Sequence, residues 1–316
     1  MRRLQLIENV RDILAKAGFY LSERHYDRNI SFDIIARKDD ELLIIGVSVN
    51  ADSSRIRNAK EIKILSDVLE GSPLFIAEKG GNRSLEKGVI YSRQGVPLLS
   101  LDTLHDMFIE GVPPYVFSAP GGFYVKIDSD LIKKARKERK ISLNRLADIG
   151  GVSRKAIQKY EKGMGADLEV ALKLQEFLGE DLILPLNPLD HTEESEYAME
   201  LLDNMSGFDK DIFEYLTSVG YRIVPTWKCP FEAITEDEKD VLLTGVGSEE
   251  NTEIKKKAKI VSDISHITER DSVIFLKKRV TRVNLEGIPI IDKKELSSLS
   301  SKKDITDLLK ERKGED

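Results

Sequence analysis

The sequence predicts a multidomain protein in which an all-α domain lies between two α/β modules with mixed central sheets. The 316 residues suffice for two or three domains. The two ends of the chain repeat one order of helices and strands, and the middle carries apolar residues at helical spacing. We therefore expect an α/β module (1–113), a β-hairpin connector (114–128), a helical domain (129–182), a linker (183–208) and a second α/β module (209–316).

The first module opens with a predicted helix from Gln5 to Ala17, and Gly18 ends it as a C-cap. The run 42–49 is apolar on both faces, which is typical of a central buried strand. The other predicted elements are strands at 31–36, 73–76, 89–91 and 96–99 and helices at about 55–70 and 102–109.

The last part of the chain repeats this order. The predicted elements are a helix ending at Gly220, strands at 231–234, 241–246, 272–276 and 287–291, a lysine-rich helix at 249–265 and a final helix from near Asp292. The matching triplets are Ala17-Gly18-Phe19 with Val219-Gly220-Tyr221, Ser31-Phe32-Asp33 with Pro230-Phe231-Glu232, and Gly95-Val96-Pro97 with Gly287-Ile288-Pro289. The pattern favours a duplicated module over chance similarity between two α/β sequences.

Two short helices are predicted in the central domain, joined by a tight turn at Gly150-Gly151. Ser142 is placed as the N-cap of the first helix and Ser153 as the N-cap of the second. In the second helix only Ala156, Ile157 and Tyr160 have the spacing to face inward. The side chains left outward are Arg154, Lys155, Gln158 and Lys159.

The central segment is a basic island in an acidic protein. Residues 131–163 contain eleven Lys and Arg and three acids, a net charge of +8, whereas the whole chain carries −6 and the remainder therefore −14. Such local positive charge is typical of a surface that binds a polyanion, although a solvated basic hairpin is the alternative. Arg, Lys and Gln can bind guanine, adenine or phosphate. The candidate DNA-binding residues are Ser142, Arg145, Ser153, Arg154, Lys155, Gln158 and Lys159.

This segment resembles the helix-turn-helix of the XRE and phage-repressor class. The matching residues are Leu146-Ala147, Gly151-Val152-Ser153, Ile157, Tyr160-Glu161 and Gly163, while Gly150 departs from a position that is usually larger and apolar. The resemblance implies a five-helix domain with a first helix at about 130–139 and a later one at 168–178. It also implies a structural salt bridge between Arg136 and Glu161.

Each α/β module resembles the PD-(D/E)xK restriction-endonuclease and resolvase fold. The resemblance places Asp33 at the acidic strand position of the first module, with Glu232 in its place in the second. The Glu-x-Lys strand does not match, because Ile44-Ile45-Gly46 and Leu243-Thr244-Gly245 occupy it, and these residues cannot bind a hard cation. We expect a nuclease-like scaffold with no catalytic residues and no metal. Glu61-Ile62-Lys63 has the right spacing but is interpreted as a solvated helical face.

Two segments join these domains. Residues 114–127 contain two β-rich runs around Pro120-Gly121-Gly122 and predict a hairpin. The hairpin is favoured as a connector packed on the first module, with a DNA-contacting wing or a dimerisation ribbon as alternatives. The stretch after Ile183 contains prolines and then acidic residues, which suits a linker.

The composition excludes several classes of protein. The single cysteine, Cys229, cannot form an internal disulfide and suits a reducing, cytoplasmic location. No apolar run is long enough to span a membrane, and no signal sequence is evident. The four histidines (His25, His105, His191 and His266) lack metal-ligand spacing, so we expect neither metal nor cofactor.

These observations favour a sequence-specific regulator of transcription over an enzyme. Its expected partners are double-stranded DNA and a second copy of the chain, because regulators of this type read two half-sites as homodimers. The full layout is similar to a family of archaeal HTH-type transcriptional regulators. The alternatives are a structure-specific nuclease targeted by the helix-turn-helix, and a protein-binding scaffold or antitoxin-like protein. A small-molecule effector stays unknown.

Overall fold

The computed structural model of the chain describes residues 2–24, 30–53, 56, 59–190, 207–237 and 240–313. The chain divides into two compact units. The first unit comprises residues 1–17, 47–57 and 74–192, and the second comprises residues 18–46, 58–73 and 193–316.

The helices are α1 (Arg2–Lys16), α2 (Lys60–Val68), α3 (Leu101–His105), α4 (Ser129–Glu138), α5 (Leu143–Gly150), α6 (Arg154–Tyr160), α7 (Leu168–Leu178), α8 (Phe208–Ser218), α9 (Thr252–Thr268), α10 (Lys293–Leu296) and α11 (Lys302–Lys313). A π-helical turn, Asp106–Glu110, continues α3. The strands are β1 (Tyr20–Leu21), β2 (Ile34–Lys38), β3 (Glu41–Asn50), β4 (Ser72–Gly80), β5 (Arg83–Ser84), β6 (Val89–Arg93), β7 (Val96–Leu99), β8 (Val116–Ala119), β9 (Gly122–Ile127), β10 (Ala166–Asp167), β11 (Ile183–Leu184), β12 (Arg222–Pro225), β13 (Ala233–Glu236), β14 (Val241–Gly247), β15 (Asp271–Leu276), β16 (Asn284–Leu285) and β17 (Ile288–Asp292).

The N-terminal module (residues 1–113) contains a mixed sheet with the strand order β1-β2-β3-β4-β7-β6. The β1–β2, β2–β3 and β6–β7 pairs are antiparallel, and β4 pairs with β7 in parallel. The apolar run of β3 is buried from Leu42 to Ser48, as its two-sided pattern predicts.

The C-terminal module (residues 209–316) has a sheet of the same order, β12-β13-β14-β15-β17-β16. The first two pairs are antiparallel, β14–β15 and β15–β17 are parallel, and β16–β17 is antiparallel. Ile212 and Phe213 of α8 belong to one buried apolar cluster with Phe275 of β15 and Ile291 of β17. The two modules therefore share strand order, apart from β5, which pairs with β4 in the N-terminal module.

Left-handed backbone recurs at matching places in the two modules. Such φ values are uncommon outside glycine, so their repetition at glutamate and glutamine positions argues for a common pattern of turns. The matching φ values are +89° at Gly18 and +101° at Gly220, +56° at Glu70 and +53° at Glu269, +51° at Gln94 and +53° at Glu286, and +79° at Gly95 and +83° at Gly287.

The helical domain contains α4 to α7 around one buried core, which includes Ile132, Leu146, Ile157 and Leu174. The β8–β9 hairpin joins this domain to the N-terminal module: β8 pairs with β6, and β9 pairs with β10 and β11. The hairpin is thus an internal part of a continuous sheet within the first unit. Its strands β9 and β11 extend the helical domain beyond the predicted range of 129–182.

Several expectations need correction. The expected fifth helix is absent from the described residues up to 190, where β11 pairs with β9 instead and prolines at 185 and 188 disfavour a helix. The predicted strands at 31–36 and 231–234 begin only at Ile34 and Ala233. Residues 54, 55, 57 and 58 of the predicted helix at 55–70, and residues 191–206 of the linker, lie outside the described residues.

The interpretation of Glu61 as a solvated helical residue is wrong. Glu61 lies on α2, as expected, but is only 8% exposed. Its Oε1 accepts a 2.5 Å hydrogen bond from the backbone N–H of Trp227, and burial raises the pKa of its carboxyl group. The Glu61 side chain therefore binds the loop that contains Trp227. The same loop accepts a second hydrogen bond, from the backbone N–H of Ser31 to the carbonyl oxygen of Lys228.

Candidate nucleic-acid interface

The two helices α5 and α6 are capped as the sequence predicts. Ser142 Oγ accepts a hydrogen bond of 3.1 Å from the backbone N–H of Arg145, and Ser153 Oγ accepts one of 3.1 Å from that of Ala156. Each cap satisfies one backbone donor that the first helical turn leaves without a partner. The capping hydroxyls thereby fix where each helix begins and how the turn between them is closed.

Helix α6 presents one buried and one exposed face. Ile157 and Tyr160 are buried in the domain core, and Ala156 is half-buried. Burial raises the pKa of the Tyr160 hydroxyl, so Tyr160 is neutral and serves as an apolar anchor. The side chains on the exposed face are Arg154, Lys155, Gln158 and Lys159. This face has three cations, one amide and no acid.

Arg145 lies on α5 and is exposed, but its guanidinium carbon is 6.0 Å from the ring centroid of Phe177 on α7. An arginine over an aromatic face is held in place while its N–H donors stay available. Asn144, also exposed in the first turn of α5, was not singled out by sequence reasoning. Its position in the sequence, between the capping Ser142 and the basic Arg145, was the signal that could have identified it as a candidate DNA-binding residue.

The two turn glycines differ in their roles. Gly151 has φ +66°, a left-handed conformation that ends α5 and that glycine adopts without steric cost. Gly150 is the last helical residue and is buried, and a Cβ there would lie 3.3 Å from Val170 Cγ1 and 3.5 Å from Leu174 Cδ2. The departure at Gly150 therefore brings α5 close to α7, and Gly151 alone makes the turn.

An ion pair joins α4 to the end of α6. Arg136 Nε lies 2.5 Å from Glu161 Oε1, and Arg136 Nη2 lies 3.1 Å from Glu161 Oε2. The two side chains are 14% and 10% exposed. This is the bidentate, largely buried arrangement that a guanidinium makes with a carboxylate, and Glu161 raises the pKa of Arg136. The pair fixes the end of α6 relative to α4.

The central stretches of β3 and β14 lack the groups that a metal-dependent nuclease needs. Residues 42–49 of β3 and 241–247 of β14 contain no acid and no lysine. Asp33 and Glu232 each directly precede a strand, and their backbone N–H groups donate to the carbonyls of Ile45 (2.8 Å) and Thr244 (3.0 Å). Among the described residues, one carboxylate beside an apolar stretch, without a second acid and a lysine, does not make up a catalytic metal site.

Glu232 has other partners instead. Its Oε2 accepts a 2.6 Å hydrogen bond from the backbone N–H of Val246, and its Oε1 lies 2.5 Å from Lys257 Nζ. Lys257 Nζ also donates to the carbonyl oxygen of Val246 at 3.1 Å. Burial raises the pKa of Glu232, and the ammonium group of Lys257 opposes that shift.

Other reactive groups are few in the part of the chain that the structure describes. The thiol of Cys229 lies 3.9 Å from Ser31 Oγ, and burial raises its pKa, so it is a poor nucleophile. No group of three or more His, Cys, Asp and Glu residues among the described positions is arranged to hold a metal. No helix within the described ranges is long and apolar enough to cross a membrane.

Comparison with known proteins identifies two domains and a family. A model of the PD-(D/E)XK superfamily domain matches residues 3–114, and a helix-turn-helix model matches residues 132–184. No solved structure matches the chain.

Relatives from archaea match the chain over nearly its whole length. One from Methanosarcina mazei is 40% identical over 323 residues, which cover 99% of this chain and 98% of the relative. One from Archaeoglobus fulgidus is 36% identical over 311 residues, covering 98% and 99%. One from Halobacterium salinarum is 34% identical over 316 residues, covering 99% and 98%. All three are named as HTH-type transcriptional regulatory proteins, and the chain belongs to this family, with an N-terminal PD-(D/E)XK domain followed by a helix-turn-helix domain.

Proposed function

We propose that the protein is a dimeric, sequence-specific DNA-binding regulator of transcription that reads the major groove with α6. Arg154, Lys155 and Lys159 contact base edges and phosphates, and Gln158 assists. The residues at the helix starts, Ser142, Arg145 and Ser153, hold phosphates. Membership of a family of HTH-type transcriptional regulatory proteins supports this role.

The exposed face of α6 is the observation that carries the proposal. Its polar side chains stand on a short helix whose other side, Ile157 and Tyr160, is anchored in the core. A helix fixed in this way presents donors in a constant geometry, which base recognition requires. The segment from Ser153 to Tyr160 has no acid to repel phosphate.

We expect the DNA-bound form to be a homodimer. One helix-turn-helix reads a short half-site through a small interface, and specificity for a longer site comes from two copies related by two-fold symmetry. We assign the α/β modules to dimerisation or to sensing of an effector, with boundaries near residues 113, 128, 182 and 208.

We further propose that the C-terminal module is a second nuclease-like module and that neither module is catalytic. The shared strand order and the repeated left-handed turns support a duplication. The apolar residues 42–49 of β3 and 241–247 of β14 support the loss of catalysis, since they include no carboxylate and no lysine at the positions of the nuclease strand.

Selection of bound duplexes from a random pool, followed by affinity measurements at one salt concentration, tests DNA readout. Arg154→Ala and Lys155→Ala should each weaken binding to the selected site by about 1–3 kcal/mol. A residue that reads a base should also lose preference at that base pair, whereas a phosphate contact should weaken all sequences alike.

Lys173→Ala is the matched control, because Lys173 is an exposed lysine on α7 of the same domain and lies outside the turn. It should bind like the wild type. Unchanged affinity and base preference in both α6 variants would exclude α6 from readout. Light scattering of the complex would give its stoichiometry, and one chain per full site would contradict the dimer.

A further inference from the structure

We propose that the ammonium group of Lys257 occupies, in the C-terminal module, the place that a divalent cation holds in a metal-dependent nuclease. The inference rests on the proposed nuclease-like nature of that module. It concerns Glu232, which stands at the acidic strand position, and it explains how the module keeps a buried carboxylate without a metal.

The geometry around Lys257 is that of a cation site. Its Nζ contacts two oxygen atoms, the carboxylate Oε1 of Glu232 at 2.5 Å and the carbonyl of Val246 at 3.1 Å. Carboxylate and carbonyl oxygens are the ligands that hard cations take in proteins. The second carboxylate oxygen accepts the backbone N–H of Val246 at 2.6 Å, so both oxygens of Glu232 are engaged.

Burial makes this pairing consequential. The side chains of Lys257 and Glu232 are 20% and 27% exposed, and a carboxylate in such surroundings needs a positive partner. A divalent cation bound to the same oxygens would lie next to the ammonium group and be repelled by it. One positive charge delivered by α9 therefore satisfies Glu232 and excludes a metal.

The lysine is particular to the C-terminal module. The spacing that aligns Asp33 with Glu232 and Glu70 with Glu269 also aligns Lys257 with Asn58, which lies outside the described residues. Residues 42–49 and 241–247 of the two modules both lack a Glu-x-Lys pattern, but only the C-terminal module has a lysine at the position of Lys257.

Thermal unfolding of the full chain, in EDTA and in Mn²⁺, tests the replacement. The wild type should melt at the same temperature in both. Lys257→Met keeps the aliphatic stem but leaves Glu232 without a cation, so its Tm should fall by about 5 °C or more. Lys256→Met, at the neighbouring exposed lysine of α9, is the control and should melt like the wild type.

Lys257→Ala removes the stem as well and opens space beside Glu232. Mn²⁺ should raise the Tm of this variant, and Glu232→Gln added to it should abolish the gain. A Lys257→Met protein as stable as the wild type would contradict the proposal, as would a Lys257→Ala protein that ignores Mn²⁺. Mn²⁺-dependent DNA cleavage by the wild type that is lost in Lys257→Met would make Lys257 catalytic instead. These readouts are independent of site-specific DNA binding, so failure of the regulator proposal would leave them unchanged.

Discussion

At the scale of single residues, the charged side chains of this protein divide by burial. Arg136 and Glu161 are nearly buried and pair in a bidentate manner, whereas Arg139 and Glu180 form a single 3.2 Å contact with 45% and 38% exposure. Exposed pairs contribute little to stability, because water and ions screen them. Breaking a buried pair leaves one charge without compensation in a medium of low dielectric, and this costs much more than the intact pair contributes.

Glu161→Gln should therefore destabilise the helical domain. The substitution keeps the shape and one acceptor but leaves the Arg136 charge without its carboxylate, at a cost of up to about 3–5 kcal/mol. DNA binding should weaken indirectly, since Glu161 directly follows α6. Hydrogen exchange of the α4 and α6 amides in the full chain measures the loss of local stability.

Glu180→Gln is the matched control, because it removes the carboxylate of the exposed pair with Arg139. Exchange in α4 and α6 should stay at the wild-type rate in this variant. Equal exchange rates in Glu161→Gln and wild-type protein would show that the Arg136–Glu161 pair does not stabilise α6.

At the scale of elements, two adjacent glycines have different roles in the turn between α5 and α6. Gly151 supplies the left-handed conformation, and Gly150 supplies the close approach of α5 to α7. The sequence Gly150-Gly151 does not show which glycine has which role, because packing in the folded domain sets both the φ angle and the distance to α7.

Gly151→Ala should destabilise the domain by roughly 1–2 kcal/mol, the cost of a left-handed conformation at a residue with a Cβ. Gly150→Ala should have a smaller effect. It gains about 1 kcal/mol of helix propensity, against a methyl group 3.3 Å from Val170 Cγ1 that a slight shift can accommodate. Denaturant unfolding of both variants checks the order, and a greater loss at Gly150 would show that the α5–α7 approach is the stricter constraint.

The β8–β9 hairpin is the second element with a defined role. Because β8 pairs with β6 and β9 pairs with β10 and β11, one hairpin carries the hydrogen bonding of the N-terminal sheet into the helical domain. A hairpin engaged on both sides has its backbone donors and acceptors in use. Few of its backbone groups are therefore left to contact DNA, as a wing would, or to pair with a second copy, as a dimerisation ribbon would.

At the scale of the whole molecule, a PD-(D/E)XK domain, a helix-turn-helix domain and a third domain of matching strand order lie in one chain. With Mg²⁺ or Mn²⁺, the full chain should leave duplex, nicked and four-way-junction DNA intact, because residues 42–49 of β3 and 241–247 of β14 provide neither the second carboxylate nor the lysine. Gel assays with an active nuclease as positive control measure this. Cleavage that Asp33→Ala abolishes would show that the second carboxylate comes from elsewhere.

The sequence by itself determined the features that depend on neighbouring residues. Caps at Ser142 and Ser153, the buried strand from Leu42 and the outward face of α6 follow from local spacing and side-chain chemistry. The order of elements in both modules could be read in the same way. Periodicity reports which face of an element is apolar, and burial of that face follows in any compact fold.

Only the tertiary structure decided contacts between residues far apart in the chain. In the sequence Glu61 has the pattern of a solvated helical residue, but in the structure it is hydrogen-bonded to the loop at Trp227, 166 positions away. In the sequence Lys257 is one of several lysines on α9, and only the structure shows that its Nζ lies 2.5 Å from Glu232 Oε1. Residues 183 and 184 form a strand because β9 is there to pair with them. These contacts join residues that are far apart in the sequence, and their stability comes from burial and from pairing across the fold. The local sequence around one residue does not specify which distant residue will lie next to it.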